Sequence, residues 1–192
     1  MEQYFPMEYM PIHPLCISSV GKYSISKPGL SRKIIQEMML HIGSLETKTI
    51  TDATANNGGD TIRFSRHFRQ VNSIELKLDE YDILCKNVEA FQCKNVILYH
   101  GDCKDILPTI EQDIVYFDPP WGGHGYHVHK KLDLYIGVHL IDYILTLKHK
   151  CKYCFIKIPS NFNMSYLKDI PCHCTELTRH VHLLFLNMDS IP

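Results

Sequence analysis

The sharpest chemical signal in the sequence is the run DPPWGG at residues 118–123, which directly follows the apolar segment 114–117. Two prolines fix the backbone, so the Asp118 carboxylate and the Pro119 carbonyl can point the same way and accept two N–H bonds. A planar amine on a nucleobase satisfies that arrangement, and Trp121 offers a face on which the base can stack. The run therefore predicts a site that holds an exocyclic amine with its lone pair aimed across a cleft.

Three more carboxylates, Asp52, Glu75 and Asp102, follow predicted strands. Any one of them taken alone is more simply an exposed loop acid or the N-cap of a helix. Together they favour a nucleoside site, because parallel sheets bind ligands beyond the carboxyl ends of their strands. Glu75 in particular ends the second strand, where adenosine cofactors have their ribose hydroxyls bound by a carboxylate.

The turn after Asp52 has the sequence ATANNGGDT over residues 53–61. Its asparagines and glycines tolerate a left-handed backbone, which lets a ligand lie directly on the turn. The glycine pattern differs from the GxGxxG of pyrophosphate-binding proteins, and an acid ahead of the turn suits an ammonium group better than a phosphate. For this segment alone, a plain strand-to-helix turn is an equally good interpretation.

The elements that must position these residues alternate between strands and helices. Helices are predicted over 30–42, from Gly59 to about Phe68, from Asp79 to about Phe91, near 104–107, over 132–149 and near 163–169. Strands are predicted at KTITDAT, VNSIEL, NVILY, DIVYF and KYCFIKI, and over about 173–179 and 181–187. This alternation predicts an α/β fold with a seven-stranded, mostly parallel sheet and helices on both faces. The last two strands leave no room for a helix between them and should form a C-terminal antiparallel hairpin.

Length and composition predict one core rather than two, because the sequence has 192 residues, of which 45% are hydrophobic. We predict a single domain over residues 22–192, preceded by an N-terminal extension over residues 1–21. The larger apolar side chains of the extension should fill a groove on the core rather than cover a cofactor. They are Tyr4, Phe5, Tyr9 and Met10.

Charge and apolar patterning exclude several classes of protein. The 20 Lys and Arg against 21 Asp and Glu disfavour a disordered chain and an extensive surface for duplex nucleic acid, so any basic patch must be local. No segment approaches the roughly 18–20 apolar residues that span a bilayer, and prolines interrupt the start of the chain, unlike a signal peptide. We therefore expect a soluble monomer in the cytoplasm or nucleus, with its eight cysteines as reduced thiols.

Cysteine spacing raises one metal hypothesis. Cys151 and Cys154 form CxxC, and Cys172 and Cys174 form CHC, which is an incomplete zinc-ribbon pattern. The simpler alternative is that both pairs belong to strands. In the predicted fold a third strand separates those two, which places the pairs about 10 Å apart, too far for one tetrahedral ion. We therefore predict no metal.

The turn at 52–61, Glu75, the Gly101-Asp102 pair and the run at 118–123 together resemble class I S-adenosylmethionine-dependent methyltransferases. With Tyr126 added, the run resembles specifically the trimethylguanosine synthase family, which methylates the exocyclic N2 of a 7-methylguanosine RNA cap. The resemblance implies a Rossmann-like methyltransferase fold, S-adenosylmethionine as the cofactor, and capped RNA or a cap analogue as the partner. It also implies in-line attack of guanine N2 on the sulfonium methyl, catalysed mainly by positioning.

Carried over residue by residue, the resemblance assigns roles to three groups of side chains. The reacting centre would comprise Asp118, Pro119 and Ser24. The cofactor would be bound by Ser26, Asp52, Thr54, Asn56, Gly58, Thr61, Glu75, Asp102 and Asp118. The capped substrate would be bound by Trp121, Tyr126, Lys27 and Asn161.

The sequence departs from the family pattern at three places. In the segment 23–28 a serine replaces the family's threonine and one residue is inserted before the proline, and Asn56 replaces the first glycine of the cofactor turn. In IPSN at 158–161, Ser160 replaces the arginine that contacts the cap phosphates. Candidate replacements for that charge are the lysines Lys157, Lys27, Lys130 and Lys131.

Two other functions stay open. An N6-adenine methyltransferase of RNA or DNA also uses an acidic-proline-proline-aromatic turn, because adenine N6 is a planar amine too. A non-catalytic cap-binding scaffold would keep the fold without the reaction. An NAD-dependent dehydrogenase is disfavoured because the glycine fingerprint is absent. The sequence leaves open whether one methyl group or two are added.

Overall fold

The computed structural model describes residues 3–191 apart from the side chain of His124, so Met1 and Glu2 of the predicted extension and Pro192 of the predicted domain lie outside the described residues. The described residues form a seven-stranded sheet in the order β3-β2-β1-β4-β5-β7-β6. Its strands are β1 (Thr49–Asp52), β2 (Gln70–Glu75), β3 (Val96–His100), β4 (Ile114–Phe117), β5 (Tyr153–Pro159), β6 (His173–Thr178) and β7 (Val181–Asn187).

Strand directions confirm the predicted topology. Strands β3, β2, β1, β4 and β5 run parallel to one another, whereas β7 pairs antiparallel with both β5 and β6. Because β7 lies between β5 and β6, the strands that hold Cys154 and Cys174 are not neighbours, as the sequence predicts. Within residues 3–191 no group of three or more His, Cys, Asp or Glu is arranged to hold a metal ion.

Helices α1 (Gly21–Ser24) and α2 (Pro28–Ile42) precede β1. The helices that connect the parallel strands are α3 (Gly59–Phe64), α4 (Leu78–Ala90), α5 (Cys103–Ile106) and α6 (Leu140–Thr146). Helix α2 starts with Pro28 in its first turn and ends before Gly43, whose φ of 71° terminates the helix as predicted. None of the described helices is long and apolar enough to cross a bilayer.

Alternate residues of the central strands pack into different apolar clusters, as the period of two requires. Val115 and Phe117 of β4 pack with α6 on one face, while Ile114 and Tyr116 pack with α2 on the other. Every residue of β1 and β4 is buried, which is typical of parallel strands covered by helices on both faces.

The predicted helix over 132–149 is wrong over its first half, because only Leu140–Thr146 is helical. Leu132 instead exchanges backbone hydrogen bonds with the segment after β5, donating to Asn161 O (2.8 Å) and accepting from Asn163 N–H (2.9 Å). Gly137 adopts a φ of 84°, which an α-helix cannot contain. The predicted helix near 163–169 is a 3₁₀ turn over Met164–Leu167.

The N-terminal segment packs on the core beside α3 and α4. Phe5 is fully buried, with its ring centroid 6.0 Å from that of Phe91. Tyr9 lies under the guanidinium of Arg63, which also binds Glu8 (2.7 Å). Met10, by contrast, is 73% exposed. Phe5 therefore fills the groove expected from the sequence, with Tyr4 and Tyr9 partly buried against the same cluster.

Phe5→Ala should lower the free energy of unfolding by about 3–5 kcal/mol, because it removes a buried ring and leaves a cavity. Denaturant unfolding of the full chain measures this, and Met10→Ala, at an exposed position of the same segment, should change stability by less than about 0.5 kcal/mol. Equal stability of Phe5→Ala and the unmodified protein would show that the segment is not part of the folded unit.

Candidate active site

The candidate site lies where β1, β4 and β5 end side by side. β4 pairs with β1 and β5, so Asp118, directly after β4, is flanked by residues from both neighbours. The Asp118 backbone N–H donates to Thr54 Oγ1 (2.8 Å), two residues beyond β1. The Asp118 carboxylate forms an ion pair with the Lys157 ammonium of β5. Three neighbouring strands thus fix the position of one carboxylate.

Lys157 is held inside a buried polar network. Its side chain is 5% exposed. Besides Asp118, the ammonium donates to Ser26 Oγ (2.8 Å), and Ser26 donates to Asp60 Oδ2 (2.6 Å). Asp60 also accepts from the Tyr116 hydroxyl (3.1 Å). The ion pair is therefore connected to α3 and to the segment before α2, so those elements restrain it.

Burial governs the charge state of Asp118. It raises the pKa of Asp118 to about 6, while the Lys157 ammonium opposes the rise and the Asp60 carboxylate adds to it. At neutral pH the carboxylate is mostly ionised and can accept N–H bonds. As the pH falls through the raised pKa, the group takes up a proton and loses part of that acceptor capacity.

Trp121 borders the same site as Asp118. The Lys157 ammonium lies 5.7 Å from the centroid of the indole ring, and Pro119 between the two residues is buried. The Tyr126 ring stands edge-on to the indole at 5.2 Å and 78°. The Trp121 indole N–H is buried and has no hydrogen-bond partner among the described residues. The turn thus brings the Asp118 carboxylate and the Trp121 indole to the same ammonium group, and what the two side chains bind stays a prediction.

Glu75 lies at the end of β2, next to the turn that follows β1. Its Oε2 accepts from Asn56 N–H (2.8 Å) and its Oε1 accepts from Lys77 N–H (2.9 Å). Asn56 has a φ of 48° and Gly58 a φ of 91°, so the turn is left-handed at both positions, as the sequence predicts. Each Glu75 oxygen keeps a further lone pair, which can accept a hydroxyl group.

Asp102 is the N-cap of α5. Its carboxylate accepts from the backbone N–H of Lys104 (2.9 Å) and from the Lys104 ammonium (2.7 Å). Partial burial acts to raise the pKa of Asp102, but these two hydrogen bonds and the Lys104 charge hold it below its usual value. Asp102 is thus an ionised acceptor at the end of β3. It is also a helix N-cap, which is the simpler role that the sequence suggested for it.

Asp52 and Thr61 lie beneath the turn rather than on its surface. They are 1% and 0% exposed, and the Thr61 hydroxyl donates to Asp52 Oδ2 (2.7 Å). Burial, with the nearby Asp60 carboxylate, raises the pKa of Asp52 to about 8. Asp52 is therefore mostly protonated at neutral pH and is a poor partner for an ammonium group. Direct contact of these two residues with a cofactor stays a prediction.

The two serines of the segment before α2 contact different parts of the site. Ser26, expected at the cofactor, contacts Lys157 beside Asp118. Ser24, expected at the reacting centre, accepts from Asn56 Nδ2 (3.1 Å) at the cofactor turn. The roles of both serines stay predictions.

The residues predicted to bind substrate differ in their positions. The Asn161 amide donates to the carbonyls of Tyr126 (2.9 Å) and His129 (2.8 Å), so it fixes the loop that carries Tyr126. Lys27 is exposed at the start of α2. Lys157 points into the site, where its ammonium is ion-paired with Asp118. We therefore no longer expect it to bind phosphate.

Sequence reasoning missed the pairing of Lys157 with Asp118 and the contribution of Asp60. A signal for the pairing was present, because a lysine inside the apolar strand CFIKIP at 154–159 requires a buried partner. The identity of that partner depends on strand order, which the periodicity of one strand does not reveal.

Comparison with known proteins identifies the family of the chain. A protein-family model described as RNA cap guanine-N2 methyltransferase matches residues 47–190. An uncharacterised protein, L320 of Acanthamoeba polyphaga mimivirus, is 35% identical over 126 residues, 62% of this chain and 49% of that protein. Trimethylguanosine synthase of Saccharomyces cerevisiae is 30% identical over 83 residues, 40% of this chain and 26% of the yeast protein. The chain thus covers half or less of the length of these two relatives.

Solved structures of methyltransferases share the fold. The 16S rRNA N2 G1207 methyltransferase of T. thermophilus, in complex with AdoMet and guanosine, has a TM-score of 0.66 at 16% identity, covering 86% of this chain and 44% of that one. Precorrin-6y C5,15-methyltransferase from Geobacter metallireducens has a TM-score of 0.64 at 12% identity, covering 94% and 97%. These similarities confirm the Rossmann-like methyltransferase fold expected from the sequence.

Asp52→Asn should flatten the pH dependence of stability. Between about pH 4 and pH 8 the folded state keeps a proton on Asp52 that the unfolded chain releases, so the free energy of unfolding falls as the pH rises. This group contributes a fall of up to about 1.4 kcal/mol per pH unit, which the substitution removes. Urea unfolding at several pH values measures the slope, and Asp79→Asn, at an exposed position of α4, should leave it unchanged. An unaltered slope in Asp52→Asn would contradict the raised pKa.

Proposed function

Because the chain belongs to the RNA cap guanine-N2 methyltransferase family, we propose that it transfers a methyl group from S-adenosylmethionine to the exocyclic N2 of guanine in a 7-methylguanosine RNA cap. The observation that carries the proposal is the placement of Asp118 and Trp121 around one buried ammonium group, that of Lys157. Product caps would be 2,7-dimethylguanosine or 2,2,7-trimethylguanosine.

S-adenosylmethionine is the cofactor, as expected from the sequence, and the residues at the ends of β1 to β3 fit it. Glu75 retains acceptor capacity for ribose hydroxyls, and the next residue, Leu76, leaves 59% of its surface exposed, which suits the face of an adenine ring. Asp102 is an ionised acceptor beside them. When bound, the cofactor supplies an activated methyl group.

Asp118 would hold the guanine amine. Lys157 binds the Oδ2 atom, and the described residues place no hydrogen-bond donor on Oδ1, which leaves that oxygen for the N2–H of the base. Accepting this bond orients the N2 lone pair and stabilises the positive charge that develops on nitrogen as it is methylated. Positioning of this kind contributes several kcal/mol of barrier reduction without a strong base.

The charge balance of the site suits a cationic base. The 7-methylguanine ring carries a fixed positive charge, which a free ammonium would repel. Lys157 is paired with Asp118, so together they present no net charge to the ring. The Trp121 face then attracts the cationic ring by about 2 kcal/mol when both are desolvated. Unmethylated guanosine lacks this attraction.

For the whole protein we propose capped RNA or a cap analogue as partner and action as a monomer. The free thiols of all eight cysteines are compatible with the cytoplasm or nucleus.

Asp118→Asn should reduce methyl transfer to a 7-methylguanosine cap by roughly 10²–10³-fold, because a neutral amide stabilises the developing charge poorly. The substitution keeps an acceptor for Lys157 and the shape of the side chain. Trp121→Ala should reduce transfer through loss of stacking, and Trp121→Phe should restore part of it. Transfer of labelled methyl groups to capped RNA measures all three variants, and calorimetry with S-adenosylmethionine should give nearly unchanged affinities for the two Trp121 variants.

The same assay separates the alternatives. Labelling of uncapped, adenine-containing RNA with no labelling of caps would replace the proposal with an N6-adenine activity. Binding of cofactor and cap without transfer would favour a scaffold. A mass spectrum of the cap product distinguishes one added methyl group from two.

Glu75→Gln should weaken S-adenosylmethionine binding by at least about tenfold, because hydrogen bonds from ribose hydroxyls to a charged acceptor are stronger than those to an amide. Cap affinity should not change. Calorimetry measures both ligands, with Glu89→Gln, at an exposed position of α4, as the matched control. An unchanged dissociation constant for S-adenosylmethionine would refute the ribose role of Glu75.

A further inference from the structure

Three segments around the site contain no acidic residue. They cover residues 119–132, 158–168 and 177–188, and they carry basic or imidazole side chains instead. In the first segment His127, His129, Lys130 and Lys131 are all exposed. The chain has 21 acidic residues, and none of them lies in these three segments. The segments therefore contribute no negative side chain to the surface beside the site.

Sheet pairing brings two of these segments into contact. Pro159 at the end of β5 pairs with Val181 at the start of β7, and the Ser160 backbone N–H donates to His180 O (3.1 Å). The turn before β7 is thereby held beside the end of β5. Asn161, next in the chain, holds the loop that contains His127. The His127 and His180 rings consequently approach within 5.7 Å of each other.

Ring contacts continue from these histidines to the base pocket. The His127 ring lies 3.7 Å from the Tyr126 ring, centroid to centroid, and Tyr126 lies 5.2 Å from Trp121. Trp121, Tyr126, His127 and His180 therefore form a continuous row, called here the aromatic row. Arg179 is exposed in the same turn as His180.

We propose that the far end of the aromatic row, His127 and His180 with Arg179, binds the phosphate chain that joins the 7-methylguanosine to the first nucleotide of the RNA. The inference rests on the proposed function and adds where the phosphates of the substrate lie. Imidazole and guanidinium N–H groups are the donors that phosphate oxygens require. A base stacked on Trp121 would direct its attached phosphates along Tyr126 toward these donors.

Trp121 makes the inference directly measurable, because it is the single tryptophan of the chain and its emission reports a base stacked on it. The probes are 7-methylguanosine, its triphosphate, and inorganic tripolyphosphate as competitor. The unmodified protein should bind the triphosphate at least tenfold more tightly than the nucleoside. In His127→Ala/His180→Ala, and to a smaller extent in Arg179→Ala, the triphosphate should bind about tenfold more weakly while nucleoside affinity stays the same.

His13→Ala is the matched control. His13 is an exposed imidazole beside α4 and β3, at the opposite edge of the sheet, and its removal should leave both affinities unchanged. Unchanged unfolding midpoints would show that the variants are folded. Equal affinity of the unmodified protein for nucleoside and triphosphate would overturn the inference. A double variant that keeps the full preference for the triphosphate over the nucleoside would also overturn the inference. The same holds if the double variant loses as much affinity for the nucleoside as for the triphosphate.

Failure of the proposed function would look different. One result would support the phosphate site and contradict the cap reaction. In it, caps are not methylated, tripolyphosphate competes with 7-methylguanosine triphosphate for the unmodified protein, and this competition is weaker in the double variant. The opposite result would support the cap reaction and contradict the phosphate site. In it, caps are methylated, and the double variant prefers the triphosphate over the nucleoside as strongly as the unmodified protein does.

Discussion

The site depends on one buried ion pair, between Asp118 and Lys157. Removing two charges from water costs several kcal/mol per ion, and attraction between them offsets this only when further hydrogen bonds satisfy the remaining polar atoms. Here Ser26 accepts from the ammonium and Thr54 accepts from the Asp118 backbone N–H. Lys157 comes from β5 and Thr54 from the segment after β1, so the pair forms only when both strands lie beside β4.

The pair also restricts what the carboxylate can do. Burial without Lys157 would favour the protonated acid, which donates a hydrogen bond where a substrate amine needs an acceptor. With Lys157 present, the carboxylate is mostly ionised at neutral pH although its pKa is raised to about 6. The ammonium thus keeps Asp118 charged while neutralising the field that the carboxylate presents. That combination suits an amine on a ring that is itself cationic.

The periodicity of the sequence was sufficient to predict the fold, because each strand and most helices have a hydrophobic pattern that fits one type of element only. It failed at residues 132–139, where Leu132, Leu134 and Ile136 fit a helix and an extended segment alike, and pairing with the segment after β5 decides between them. Motifs predicted Asp118, Trp121 and Glu75 at one edge of the sheet. They did not predict that Lys157 would neutralise Asp118, since that contact depends on the order of strands in space.

Near-neutral net charge is compatible with the proposed polyanionic substrate because segments 119–132, 158–168 and 177–188 contain basic and imidazole side chains and no acidic residue. The sheet places the ends of β5 and β7 together, and the segments that meet there contain no acidic residue. The acidic side chains nearest to Asp118, Asp52 and Asp60, are buried; burial keeps Asp52 mostly protonated at neutral pH, and hydroxyl groups of Ser26 and Ser31 donate to Asp60. A local potential of this kind attracts a short phosphate chain without providing the continuous basic surface that a long duplex requires. The phosphate site proposed above therefore depends on the antiparallel hairpin of β6 and β7, because this hairpin places His180 beside the end of β5.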